Sequence, residues 1–320
     1  MDAMCYEVFA EEKEMLKRYL PRNLTIGFSE KTIQSDGRRY PPSRLISIRT
    51  QSVIPSGWGK ELSGILTRSS GFDHLLAFRK QFGPHISYGY LSSYCERAVA
   101  EHALLMILAL ARKFKKQLRQ LGSFDRNGLT GIECSGRNML VVGVGNIGGE
   151  IVRLAKGFGM NVKGVDLVKR VPSLDYVTLK QGILSADAIV CALPLTRLTE
   201  GLLNYKLLRK AKKGALFVNI SRGEISPMQD LKRLLKEGVL GGVGLDVYEE
   251  EGTLADALRA RRGVSDRKGK EILSLEGDDR ILFTPHNAFN TREALERKAK
   301  QSCEAIAAFL KKGSFPYSVP

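Results

Sequence analysis

From Met139 onward, short apolar runs alternate with amphipathic stretches. The runs are Met139 to Val142, Asn161 to Asp166, Asp187 to Leu193, Ala215 to Ile220, Val243 to Val247 and Ile281 to Thr284. Near-continuous runs of this kind suit strands buried on both faces of a parallel sheet. Between them Asn146 to Phe158, Asn204 to Lys212 and Pro227 to Glu237 carry apolar residues at helical spacing. The alternation predicts βαβ units and a doubly wound α/β domain. The first hundred residues give fewer signals: strands at Leu45 to Arg49 and Gly64 to Thr67, and a helix at Glu11 to Tyr19. These suffice for a second, smaller α/β domain. A long helix from Arg97 to about Leu118 is expected to join the two. Asn290 to Lys312 is expected to form a closing helix that returns to the first domain. The predicted division is therefore 1–98 with 291–320, and 99–290.

Composition agrees with that division. A chain of 320 residues exceeds what one hydrophobic core usually serves, and 43% hydrophobic residues are ample for two. The N-terminal residues, from Met1 to Glu7, carry acid where a secretory leader carries a basic stretch and a long apolar run. Ala103 to Ala111 is the longest apolar run, far short of the roughly 20 residues that span a bilayer. A cytoplasmic protein without a membrane partner is expected. Five scattered cysteines (Cys5, Cys95, Cys134, Cys191 and Cys303) form no close pair of the metal-binding or redox kind, so reduced thiols and no metal site are expected. The net charge of +16 is anomalous, since such a field draws polyanions and small anions alike. Its densest cluster is Arg259, Arg261, Arg262, Arg267, Lys268 and Lys270.

Chemistry enters with Gly143, Gly145 and Gly148, which follow an apolar strand and open a helix. That placement lets backbone N–H groups and the helix N-terminus hold a pyrophosphate. Glycine is 32 of 320 residues, so the spacing alone would recur by chance roughly 0.3 times in such a chain. Asp166 strengthens it by ending the next strand, 23 positions on, where a carboxylate can accept ribose hydroxyls and repel a 2′-phosphate. NAD is therefore expected over NADP, although Lys169 and Arg170 stand close behind. Arg222, Glu251 and His286 each follow a predicted parallel strand, at the sheet edge where ligands bind. An arginine can grip a carboxylate and polarise a carbonyl. A histidine can exchange a proton with that carbonyl oxygen, and a glutamate can hold its tautomer and favour its charged form. Singly each has a bland structural reading; together they suit hydride transfer.

The sequence resembles the D-isomer-specific 2-hydroxyacid dehydrogenases. The segments that carry the resemblance are Leu66 to His74, Ala98 to Ala103, the glycine turn, Ala192 to Thr196, Asn219 to Glu224, Gly244 to Tyr248 and Thr284 to Phe289. The resemblance implies a Rossmann dinucleotide domain beside a smaller flavodoxin-like substrate domain. It implies Arg222, Glu251 and His286 as the catalytic set, with Arg222 orienting substrate and His286 as acid and base. It gives Gly143, Gly145, Asn146, Ile147, Gly148, Asp166, Pro194, Thr196 and Asp246 to the cofactor. Substrate falls to the backbone at Ser70 and Gly71 and to Tyr94 and Phe289, an aromatic pair that looks most like the D-lactate dehydrogenase branch. Two features depart from the pattern: Glu251 to His286 is long and basic, and Gly252 replaces a proline usual after the glutamate. Glu250 therefore stays open as the partner of His286.

The activity so implied is NAD-dependent interconversion of a small 2-oxo acid and its D-2-hydroxy acid, lactate being the model, by a homodimer. The alternative is an NAD(H)-sensing interaction or corepressor-type protein on the same fold, which the net charge would suit. The intact Arg222, Glu251 and His286 favour the enzyme, and no helix-turn-helix or zinc-finger pattern supports a nucleic-acid partner.

Overall fold

The computed structural model describes residues 1–320. They divide into two units, Met1–Cys95 with Asn290–Pro320, and Glu96–Phe289. In the first unit the chain runs β1 (Ala3–Cys5), α1 (Ala10–Tyr19), β2 (Ile26–Phe28), α2 (Ile33–Asp36), β3 (Leu45–Ile48), β4 (Gly64–Thr67), α3 (Asp73–Phe82) and β5 (Ser87–Gly89). The five strands are parallel, in the order β2-β1-β3-β4-β5, which is the flavodoxin-like order. Its core gathers Met4, Tyr6, Ile46, Ile48, Trp58, Ile65 and Phe78.

The second unit begins with α4 (Glu96–Ala111) and α5 (Phe114–Gln120). It continues through β6 (Asn138–Val142), α6 (Asn146–Gly157), β7 (Asn161–Val165), β8 (Asp175–Tyr176), α7 (Leu179–Ser185), β9 (Ala188–Cys191) and α8 (Tyr205–Leu208). β10 (Ala215–Asn219), α9 (Met228–Lys236), β11 (Leu240–Leu245), α10 (Glu251–Arg259), α11 (Arg267–Ser274) and β12 (Ile281–Phe283) complete it. Its seven parallel strands lie in the order β12-β11-β10-β9-β6-β7-β8. The order reverses between β6 and β9, and such a switch point opens a crevice at the strands' carboxyl ends. Leu140, Val142, Ile189, Phe217, Leu231 and Val243 are among its buried residues. The chain then returns to the first unit as α12 (Arg292–Lys312), which packs on α1.

Two predicted elements differ. The helix expected to run from Arg97 to Leu118 breaks after Ala111, because Lys113 takes a left-handed φ of +52° and the Ala111 carbonyl accepts from Ile132 N–H at 2.9 Å instead of continuing the helical ladder. The helix expected over Asn204 to Lys212 keeps only Tyr205–Leu208, with Asn204 capping it by accepting from Leu207 N–H. No helix is long and apolar enough to cross a membrane.

Candidate active site

The glycine turn leaves β6 and enters α6 with a separate reason for each glycine. Gly143 has a φ of +94°, and a Cβ there would stand 2.6 Å from the Ala192 carbonyl oxygen. A Cβ on Gly148 would lie 1.9 Å from the Gly143 carbonyl oxygen, so α6 could not close onto the turn. Gly145 meets nothing within 4 Å, and no side chain caps the helix it begins. The first N–H groups of α6 are thus left for an anion. Asp166 stands beyond β7, its Oδ2 accepting from Val144 N–H at 2.6 Å and its Oδ1 from Val168 N–H at 3.0 Å. Each oxygen keeps acceptor capacity for a ribose hydroxyl. After β9, Thr199 Oγ1 donates to the Pro194 carbonyl at 2.6 Å and accepts from Thr196 N–H at 2.8 Å, closing the loop that carries Pro194 and Thr196.

Arg222 sits on a turn knitted by buried Asn219. The Asn219 Nδ2 donates to the Arg222 carbonyl and to Ser226 Oγ, both at 2.8 Å, and its Oδ1 accepts from Ser221 N–H at 2.9 Å. Gly223 lets that turn touch the next one: a Cβ there would fall 2.0 Å from the Tyr248 carbonyl carbon.

His286 follows β12 in a left-handed conformation, φ +51°. Its Nδ1 lies 2.8 and 3.1 Å from Glu251 Oε1 and Oε2. Glu251 opens α10, so one helix start aims the carboxylate. Glu250, φ +57°, points elsewhere and pairs with Lys268 at 3.0 Å, as Glu249 does at 3.2 Å. The contact to His286 is therefore made by Glu251. Asp246, following β11, is 1% exposed and accepts from Asn287 N–H at 2.7 Å and Ala288 N–H at 2.9 Å, directly beneath the histidine turn.

In the first unit Ser70 and Gly71 leave β4 on a bend where Ser69 Oγ donates to the Gly71 carbonyl at 2.7 Å. Tyr94 is buried, which pushes its phenol well up, and its carbonyl accepts from Arg297 Nε at 2.8 Å. Phe289, buried, ends the second unit. Each unit is thus equipped separately.

The model of the D-isomer specific 2-hydroxyacid dehydrogenase NAD binding domain matches residues 104–288. A D-lactate dehydrogenase of Escherichia coli is 32% identical over 238 residues, 72% of this chain and 71% of that protein. The chain belongs to the D-isomer specific 2-hydroxyacid dehydrogenases. A glyoxylate reductase of Pyrococcus furiosus is also 32% identical, over 68% of this chain and 64% of its own. Among solved structures, a D-lactate dehydrogenase from Aquifex aeolicus complexed with NAD and lactic acid superposes with a TM-score of 0.85 at 26% identity, covering 98% of each chain. As a member of this family the protein is an NAD-dependent oxidoreductase that interconverts 2-oxo and 2-hydroxy acids. The open glycine turn and the carboxylate of Asp166 fit that cofactor.

Three residues at this dehydrogenase's site escaped the sequence reading. Thr284 Oγ1 donates to Asp246 Oδ1 at 2.5 Å and lies 3.1 Å from His102 Nε2, and Lys268 pins the two glutamates before Glu251. The signals were the place of His102 within Ala98 to Ala103, of Thr284 at the head of Thr284 to Phe289, and of Lys268 within the basic cluster.

Proposed function

We propose that this dehydrogenase reduces pyruvate, or a slightly longer aliphatic 2-oxo acid, to the D-2-hydroxy acid, with Arg222, Glu251 and His286 as its catalytic residues. The observation that supports this most is the His286–Glu251 pair, held on turns from the same sheet edge as Arg222 and the glycine turn. Glu251 occupies Nδ1, so Nε2 is the nitrogen left to give a proton to the carbonyl oxygen. The guanidinium of Arg222 grips the carboxylate and polarises the carbonyl. When bound, the nicotinamide cofactor would supply or take up the hydride at the carbonyl carbon; His286 gives the proton to the oxygen in reduction and takes it back in oxidation. By the family resemblance, N–H groups at Ser70 and Gly71 would receive the carboxylate, and Tyr94 and Phe289 would set the size of the chain beyond it. Gly143, Gly145, Asn146, Ile147 and Gly148 take the pyrophosphate, Asp166 the adenosine ribose, and Pro194, Thr196 and Asp246 the rest of the cofactor.

Incubation with NADH and a panel of 2-oxo acids, followed by chiral analysis, tests this. D-Lactate or a short homologue should form fastest. An L-product would refute the mechanism, and a D-product formed best from glyoxylate or 3-phosphohydroxypyruvate would refute the substrate size alone.

We further infer a cytoplasmic homodimer. Leu105, Phe114, Leu118, Leu121 and Phe124 cluster along α4, α5 and the turn after them, Leu121 being 69% and Phe124 75% exposed, an apolar surface suited to a second copy. The five cysteines are all free thiols, as a reducing compartment requires. Sedimentation should give twice the chain mass of 35.4 kDa; a monomer at micromolar concentration would refute the dimer.

A further inference from the structure

Helix α4 and strand β11 meet along matched stripes. His102, Met106 and Leu110 recur every four residues and share one face of the helix, while positions 242, 244 and 246 share one face of the strand and its exit. A Cβ on Gly242 would stand 3.0 Å from Leu110, and one on Gly244 3.1 Å from Met106. The third rung is polar: His102 Nε2 lies 3.8 Å from Asp246 Oδ1 and 3.1 Å from Thr284 Oγ1.

Counting protons fixes the roles. The single hydroxyl proton of Thr284 goes to Asp246 Oδ1 at 2.5 Å, so the oxygen of Thr284 can only accept from His102. Nε2 of His102 therefore carries a proton. Burial pushes the His102 imidazole below its ordinary value, against the pull of the Asp246 carboxylate, so at neutral pH the neutral Nε2–H tautomer makes the contact. Asp246 in turn accepts from Asn287 and Ala288 N–H, the two residues after His286. The left-handed φ of His286 is a conformation that persists in a non-glycine residue only where the surroundings enforce it.

We propose that His102 is a positioning residue for the acid–base histidine, acting through Thr284 and Asp246 to hold the turn that presents His286. The proposal rests on the reading of His286 as the proton donor, and deepens it. It also gives the Ala98 to Ala103 segment a role in the chemistry.

Two variants and one spectrum test it. His102→Leu removes the donor, while His102→Gln keeps an amide N–H near the position of Nε2. Turnover of the best 2-oxo acid should fall about ten-fold in the Leu variant and less than about two-fold in the Gln variant, with the KM for NADH unchanged in both. A merely structural role would lower Tm in both variants and leave kcat alone. The protein has four histidines, so imidazole 15N spectra are readily assigned. The native spectrum should show His102 as the Nε2–H tautomer, and the His286 resonances should move in the Leu variant and stay in the Gln variant. An Nδ1–H tautomer at His102, unmoved His286 resonances in the Leu variant, or equal kcat losses in the two variants would overturn the proposal. The spectra need no turnover. If no 2-oxo acid is reduced, the functional reading fails while they still decide the role of His102.

Discussion

Asp166 is fixed before any nucleotide arrives, since each of its oxygens already accepts a backbone N–H. A rigid carboxylate discriminates well, because a 2′-phosphate beside it meets a like charge that cannot swing away. NADH should therefore be used far more efficiently than NADPH. Asp166→Ser should narrow the ratio of the two kcat/KM values by at least about ten-fold, the exposed Lys169 and Arg170 then being free to attract the phosphate. Comparable kcat/KM for the two cofactors in the unmodified protein would sink this account of Asp166. Asp166 could be found in the sequence because it ends an apolar run at a fixed distance from the glycines. The contact of His102 could not, because its hydrogen-bond partner lies 182 residues away and its place within Ala98 to Ala103 marks a segment without naming that partner.

Among the elements, the long βαβ units could be read because buried parallel strands are continuous apolar runs. Strands β1, β2 and β5 have three residues each, too few to show any period, so they had no signature. The break after Ala111 was equally silent, since a lysine in the left-handed region has no sequence mark comparable to glycine. Glycine marks, in contrast, can be given distinct consequences. Gly223→Ala would press a Cβ into the Tyr248 backbone, and backbone cannot rotate aside as a side chain can. We expect a stability loss of roughly 1–3 kcal/mol and a lower kcat, because the turn that moves carries Arg222. Gly145→Ala meets no protein atom, so its Tm should hold while the KM for NADH rises. Thermal melts beside steady-state kinetics separate the two, and a Gly223→Ala protein with native Tm and kcat would contradict the close approach.

The whole molecule carries +16, yet its least solvated charges belong to a small cluster in the first unit. Arg68 donates to Glu12 Oε1 at 3.0 Å, to Ser47 Oγ at 3.1 Å and to the Tyr6 carbonyl at 2.6 Å, and Lys298 reaches the same Glu12 oxygen at 2.7 Å. All three charged side chains are wholly buried, tying α1, the end of β4 and α12 together beside the Ser69 to Gly71 bend. Burial alone would push the Glu12 carboxyl up, but Lys298 and Arg68 outweigh it and hold it at about 2. Glu12 thus contributes stability that is fully present above the ordinary carboxylate range and is lost as pH falls from about 4.5 to about 2. Lys298 behaves oppositely: burial pulls its ammonium down to about 7, although Glu12 pulls it up. Between pH 7 and the ordinary lysine value the unfolded chain binds the proton that the folded chain has released, so stability rises with pH there. Over that interval this one group should therefore add to stability as pH rises. Relief of the general positive self-repulsion raises stability over the same interval, so the native protein alone cannot isolate it. Lys298→Met keeps the length of the side chain and, because Lys298 is wholly buried, leaves the surface charge unchanged while removing the titration. Urea midpoints at pH 7, 8 and 9 should therefore climb more steeply for the native protein than for Lys298→Met, and parallel lines would show that Lys298 does not lose its proton in this range.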